Sequence, residues 1–97
     1  MIPVAYIIYS EKLKKFYIGK SENFSKRILF HNSDENEKWS KAGRPWIEFL
    51  IIPCHTFEQA GKIERFIKAQ KSKKYILQLK EKSEYIENLL GRFSNNC

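Results

Sequence analysis

Cysteine is scarce in this 97-residue chain: Cys54 and Cys97 stand far apart, the second at the terminus. Two such thiols build neither a disulfide framework nor a four-ligand zinc site. Long apolar runs are missing too, since no stretch approaches the roughly 20 residues needed to span a bilayer. The apolar opening from Met1 to Tyr9 lacks the basic leader and the length of a signal peptide. A soluble cytoplasmic protein with no membrane partner is therefore expected. Acidic residues are few, 11 against 18 Lys plus Arg, which leaves a net charge of +7 and a bias toward an anionic partner. Charge alone does not separate nucleic acid from membrane or protein. What is present suffices for one modest core: 42% of residues are hydrophobic, 14% aromatic and 30% charged, which excludes most disordered and fibrous classes.

Val4 to Tyr9 and Phe16 to Gly19 are rich in β-branched and aromatic residues and flank a polar stretch, Ser10 to Lys15, the pattern of an antiparallel hairpin. Alternation puts Val4, Tyr6 and Ile8 on one face. A short amphipathic helix is expected over Glu22 to His31, with Ser21 as N-cap, Phe24, Ile28 and, less directly, Leu29 facing inward, and an end near Asn32. Asn32 to Pro45 has the composition of a long exposed loop. Trp46 to Ile52 supplies a third strand between two prolines, and so narrow a sheet needs helical cover. Thr56 and Gln59 have capping-box spacing ahead of a stripe of Phe57, Ala60, Ile63 and Ile67 that runs to about Ala69. Ser72 to Leu79 and Ser83 to Leu90 form one helix or two, with Tyr75, Ile76, Leu79, Ile86, Leu89 and Leu90 facing the core and Gly91 as the stop. The fold expected is α+β, a small three-stranded antiparallel sheet flanked by helices, with residues 1–91 as one domain and 92–97 as a frayed tail.

At about 100° per residue, Glu64 falls between Phe57 and Ala60 on the side that meets the sheet. A carboxylate there needs a cation, hydrogen-bond donors or a metal ion, and Lys68 lies one turn on. A structural ion pair and a solvent-exposed edge remain open beside a functional role. In the first helix Arg27 and His31 flank the Phe24 direction one turn apart, so their heads can share a pocket with the hydroxyls of Tyr6 and Tyr17 if the strand faces match. Solvated or core roles for these four are the alternative. The basic excess is uneven: Lys62 to Lys82 holds eight Lys or Arg against two acids, a stripe suited to a phosphate backbone or simply to solubility. Trp39 with Lys38, Lys41 and Arg44 offers a second basic surface with a ring for base stacking.

Together these residues resemble the GIY-YIG nuclease family, in its small stand-alone members. Tyr17-Ile18-Gly19 is the second half of the signature intact, while Val4-Ala5 replaces the Gly-Ile that would precede Tyr6. The resemblance continues through Arg27, His31-Asn32, Trp39-Ser40-Lys41, Arg44-Pro45-Trp46, Ala60, Glu64 and Lys68 to Lys73-Lys74-Tyr75-Ile76. It implies an endonuclease that hydrolyses DNA phosphodiester bonds, structure-specific in repair or recombination, with RNA not excluded and a protein partner for targeting. Tyr6, Tyr17, Arg27, His31 and Glu64 would be catalytic, and Glu64 would hold one divalent cation, Mg²⁺ before Mn²⁺. Tyr6 would be the general base or a relay, provided nearby cations favour its phenolate, since an ordinary phenol near pKa 10 is a poor base. Tyr17 would orient water or phosphate, and His31 would bond the scissile phosphate or Tyr6. Lys20, Lys41, Arg44, Lys68, Lys71, Lys73 and Lys74 would bind phosphates, with Trp39 stacking on a base. The alternatives are a catalytically inactive nucleic-acid-binding module and a domain that binds acidic proteins.

Overall fold

The structure is a computed structural model that describes residues 2–34, 36 and 39–94, Trp39 by its backbone alone. Strands β1 (Val4–Ser10) and β2 (Lys15–Ser21) form the hairpin, and Lys14 turns the chain between them with φ of 55°. Helix α1 (Phe24–His31) follows, then a short 3₁₀ turn at Trp39–Gly43, a cis Arg44–Pro45 peptide and strand β3 (Trp46–Pro53). Three helices close the fold: α2 (Phe57–Gln70), α3 (Lys73–Glu81) and α4 (Ser83–Arg92). The sheet is antiparallel in the order β2-β1-β3, so β1 is central and β2 lies at an edge. This is the α+β architecture expected.

Strand alternation splits the interior in two. Val4, Tyr6, Ile8 and Trp46 are buried on the face covered by α1, through Phe24 and Ile28. Ala5, Ile7, Leu50 and Ile52 face the larger core, built with Ala60, Ile63 and Ile67 of α2 and with Ile76, Leu79 and Leu89 beyond it. A bulge in the β1–β3 pairing between Ile7 and Ile8 puts the consecutive residues Phe49 and Leu50 against the α2 core, yet keeps Trp46 on the α1 face. One strand thereby serves both layers.

Local chemistry corrects several boundaries. Helix α1 starts at Phe24 because Asn23, and not Ser21, caps it: Asn23 Oδ1 accepts the Lys26 amide at 3.2 Å, while Ser21 Oγ accepts the Asn23 amide at 2.9 Å. Leu29 points outward at 70% exposure. The loop after α1 is not wholly exposed, since Asn36, Ser40 and Gly43 are buried in it. Thr56 Oγ1 accepts the Gln59 amide as a capping box requires, but Gln59 Oε1 takes the His55 amide at 2.7 Å and its Nε2 reaches the Leu90 carbonyl, tying α4 to α2. Phe57, expected in the core, lies at the surface with the Lys20 ammonium 4.7 Å from its ring centre. Helix α2 ends on Lys71 in the left-handed region, and Lys82 separates α3 from α4. Gly91 continues α4 by one residue instead of stopping it, having negative φ. Of the expected tail, residues 95–97 lie outside the described residues.

Candidate active site

The site is assembled on the smaller layer, around the Tyr6 ring. Tyr6 pairs across the hairpin with Gly19, and a Cβ added to Gly19 would come within 2.5 Å of the Tyr6 hydroxyl oxygen. Glycine in the Tyr17-Ile18-Gly19 triplet is therefore required by the ring lying over the β2 backbone. Tyr17 stacks beside Tyr6 with ring centres 6.3 Å apart, and its ring meets His31 edge-on at 4.6 Å. Trp46 backs this group, 6.0 Å from Tyr17.

Polar contacts give the cluster direction. Arg27 Nε donates to the Tyr6 hydroxyl at 3.3 Å, and the guanidinium also engages the Tyr17 hydroxyl. The Tyr6 hydroxyl lies 2.9 Å from His31 Nε2. Arg27 donates to one lone pair of the Tyr6 oxygen, and the direction of the Tyr6–His31 bond is set by which imidazole nitrogen carries the proton. Nδ1 lies 3.3 Å from Ser40 Oγ, and Asn36 Nδ2 donates to both Ser40 Oγ and the His31 carbonyl. Asn32, next in the chain, exchanges two hydrogen bonds with the Trp46 backbone at 3.0 and 2.6 Å, so its side chain extends the sheet and pins the end of α1 to β3.

Burial dominates the electrostatics. Tyr6 is 1% exposed and His31 fully buried. Burial pushes the Tyr6 hydroxyl from its ordinary 10.0 up to about 12, outweighing the Arg27 cation, which pulls the other way. The expectation that neighbouring cations favour the phenolate is thus not met: the resting hydroxyl keeps its proton. Arg27 is held protonated more firmly still, chiefly by its bond to Tyr6. Arg27 and Tyr17 are only half-buried, and Arg27 lines an open groove of about 550 Å³ with Lys20, Lys26, Phe30 and Phe57.

Glu64 projects from α2 near enough for its charge to act on the Tyr6 hydroxyl. Its side chain is 15% exposed, and Oε2 pairs with Lys68 Nζ at 2.7 Å. The partner expected one turn on is present. Among the described residues no group of three or more His, Cys, Asp or Glu gathers to hold a metal. The donor set, a single carboxylate whose Oε2 pairs with Lys68, fits a cation that keeps most of its water. It does not fit a protein-enclosed metal.

The remaining predicted residues divide. Lys20 lies along α2, where a Cβ on Gly61 would be 3.1 Å from its Nζ. Arg44 is held by Asp34 at 2.8 Å and by the Lys41 carbonyl, while Lys41 Nζ reaches the Asp34 carbonyl. Those two cations belong to a loop brace beside Lys12. Lys68, Lys71 and Lys73 line another groove, and Lys74 is exposed beyond it. Lys38 and the Trp39 side chain lie outside the described residues. Sequence reasoning gave no role to Asn32, Asn36 or Ser40; Asn32 and Ser40 sat inside matched stretches, but only the fold shows them orienting His31 and Trp46.

A family model described as the GIY-YIG catalytic domain matches residues 3–86, nearly the whole chain. No curated protein and no solved structure gives a significant match.

Proposed function

Since the chain belongs to the GIY-YIG nuclease family, we propose that it is a divalent-metal-dependent endonuclease that hydrolyses DNA phosphodiester bonds. The observation that carries this reading is the convergence of Tyr6, Tyr17, Arg27 and His31 through ring contacts and hydrogen bonds, with the Glu64 carboxylate acting on the same hydroxyl. Glu64 would hold one Mg²⁺ or Mn²⁺ ion, which when bound supplies Lewis-acid stabilisation of phosphoryl charge and acidifies its water. Arg27, half-buried and open to a groove, donates to a phosphate and offsets the negative charge that grows in the transition state. Tyr17, half-buried beside it, orients the attacking water or the phosphate.

Tyr6 acts as a relay. Its burial keeps it from bulk water, and its oxygen lies 2.9 Å from His31 Nε2, so with the imidazole proton on Nδ1 a proton taken up at the Tyr6 oxygen would be matched by one passed to Nε2. Ser40, itself bonded by Asn36, meets Nδ1 on the other side of the imidazole and orients the ring toward Tyr6. His31, fully buried, serves Tyr6 and not the scissile phosphate. The reading extends to branched or flapped DNA of the kind met in repair and recombination. Incubation with duplex, flap, fork, four-way junction and single-stranded DNA and with RNA, in Mg²⁺ and in EDTA, tests it. Metal-dependent nicking of DNA, strongest on branched forms, is expected; binding without nicking in Mg²⁺ would establish the inactive-module alternative instead.

A further inference from the structure

The eight cations between Lys62 and Lys82 do not form one stripe. Lys80 sits over the Phe49 ring at 5.6 Å and Lys82 over Tyr85 at 5.8 Å, on the far helices. Lys68, Lys71 and Lys73 instead turn toward the hairpin, where Lys14 and Lys15 join them around a groove of about 580 Å³ floored by apolar side chains such as Phe16. Lys73 Nζ reaches the Lys14 carbonyl at 3.4 Å, bridging 59 positions of sequence. No acidic residue is among those lining the groove, and two of its lysines pair with carboxylates outside the lining, Lys14 with Glu11 and Lys68 with Glu64. Five ammonium groups around one concavity repel one another and attract a polyanion.

We infer that this five-lysine groove between the β1–β2 turn and the α2–α3 junction is a binding track for the nucleic-acid backbone on one side of the cleaved bond. The location relative to the cut rests on the nuclease reading; the binding does not. Lys68 belongs to both the groove and the Glu64 ion pair, so the track begins at the candidate site. From Glu64 to Lys71 a helix advances roughly 10 Å, the rise of about three nucleotides of one strand. A nucleic acid is favoured over an acidic protein because the groove is continuous, through Lys68, with the candidate site of a chain in a nuclease family.

Fluorescence anisotropy of labelled duplex DNA in EDTA, across a salt series, tests the track without any cleavage. The double variant Lys14→Gln/Lys15→Gln should bind about tenfold or more weakly, with the salt slope reduced by roughly 2. The charge-matched Lys80→Gln/Lys82→Gln should keep the wild-type slope. An unchanged slope in the first variant, equal losses in both, or groove-dependent binding of anionic phospholipid vesicles or a polyglutamate peptide in place of DNA would overturn the inference. Failure of the nuclease reading alone would appear as intact, Lys14/Lys15-dependent binding with no cut in Mg²⁺.

Discussion

At the scale of single residues, the site depends on close contacts that tolerate little change. Gly19→Ala would drive a methyl group to 2.5 Å from the Tyr6 oxygen, and no flexible chain end is there to move aside. Overpacking of this kind costs about 1–3 kcal/mol, so denaturant unfolding should show that loss together with a fall in nicking of at least tenfold. Tyr6→Phe removes the Tyr6 hydrogen bond to buried His31 Nε2, a loss of about 1–3 kcal/mol at neutral pH. Its pH dependence has a definite sign. The folded hydroxyl holds its proton more tightly than the unfolded one, so the stability linked to it is complete below pH 10.0 and is lost as pH rises through about 12. Two units correspond to roughly 3 kcal/mol. Chemical unfolding at successive alkaline pH values should therefore fall more steeply across that window for the wild type than for Tyr6→Phe.

At the scale of elements, the site lies where three pieces of chain meet: the hairpin brings Tyr6 and Tyr17, α1 brings Arg27 and His31, and α2 brings Glu64 across the β2 edge. Lys68 couples α2 to this arrangement through an i,i+4 ion pair that is half-exposed on the lysine side. Such a pair contributes at most about 0.5 kcal/mol, so Lys68→Met should barely change stability. It should instead release Oε2 and tighten Mn²⁺ binding to the free protein, as read by water-proton relaxation; weaker Mn²⁺ binding would mean that Lys68 does not compete for the carboxylate. Much of this level was legible in sequence. Periodicity located all three strands and the α2 stripe, and helical angles turned Arg27, His31 and Glu64 inward. Periodicity could not foresee the β3 bulge, because an extra residue is invisible until the partner strand is known. It also could not foresee that Asn23 would outcompete Ser21 as a cap, or that Phe57 would stay outside as a platform for Lys20.

At the scale of the molecule, net charge was readable from composition, but its placement was not. Two lysines of the hairpin join three of the α2–α3 region only through tertiary folding, while Arg44 and Lys41 are drawn into a brace around Asp34. The consequence is a surface with two grooves along α2, one open at Arg27 and Lys20, the other at Lys68 and Lys71, with Glu64 between them in sequence. No helix among the described residues is long and apolar enough to cross a membrane. On the function proposed, the arrangement serves one event, transfer of a phosphoryl group to water within the Tyr6, Arg27 and Glu64 constellation. That claim meets its most direct test in single-turnover nicking of supercoiled DNA in Mg²⁺ by wild type, Glu64→Ala, Arg27→Ala and Tyr6→Phe, each first shown to be folded by circular dichroism. Loss of nicking is predicted for Glu64→Ala, with reductions of about 10²-fold or more for the other two; cutting by all three at the wild-type rate would contradict it.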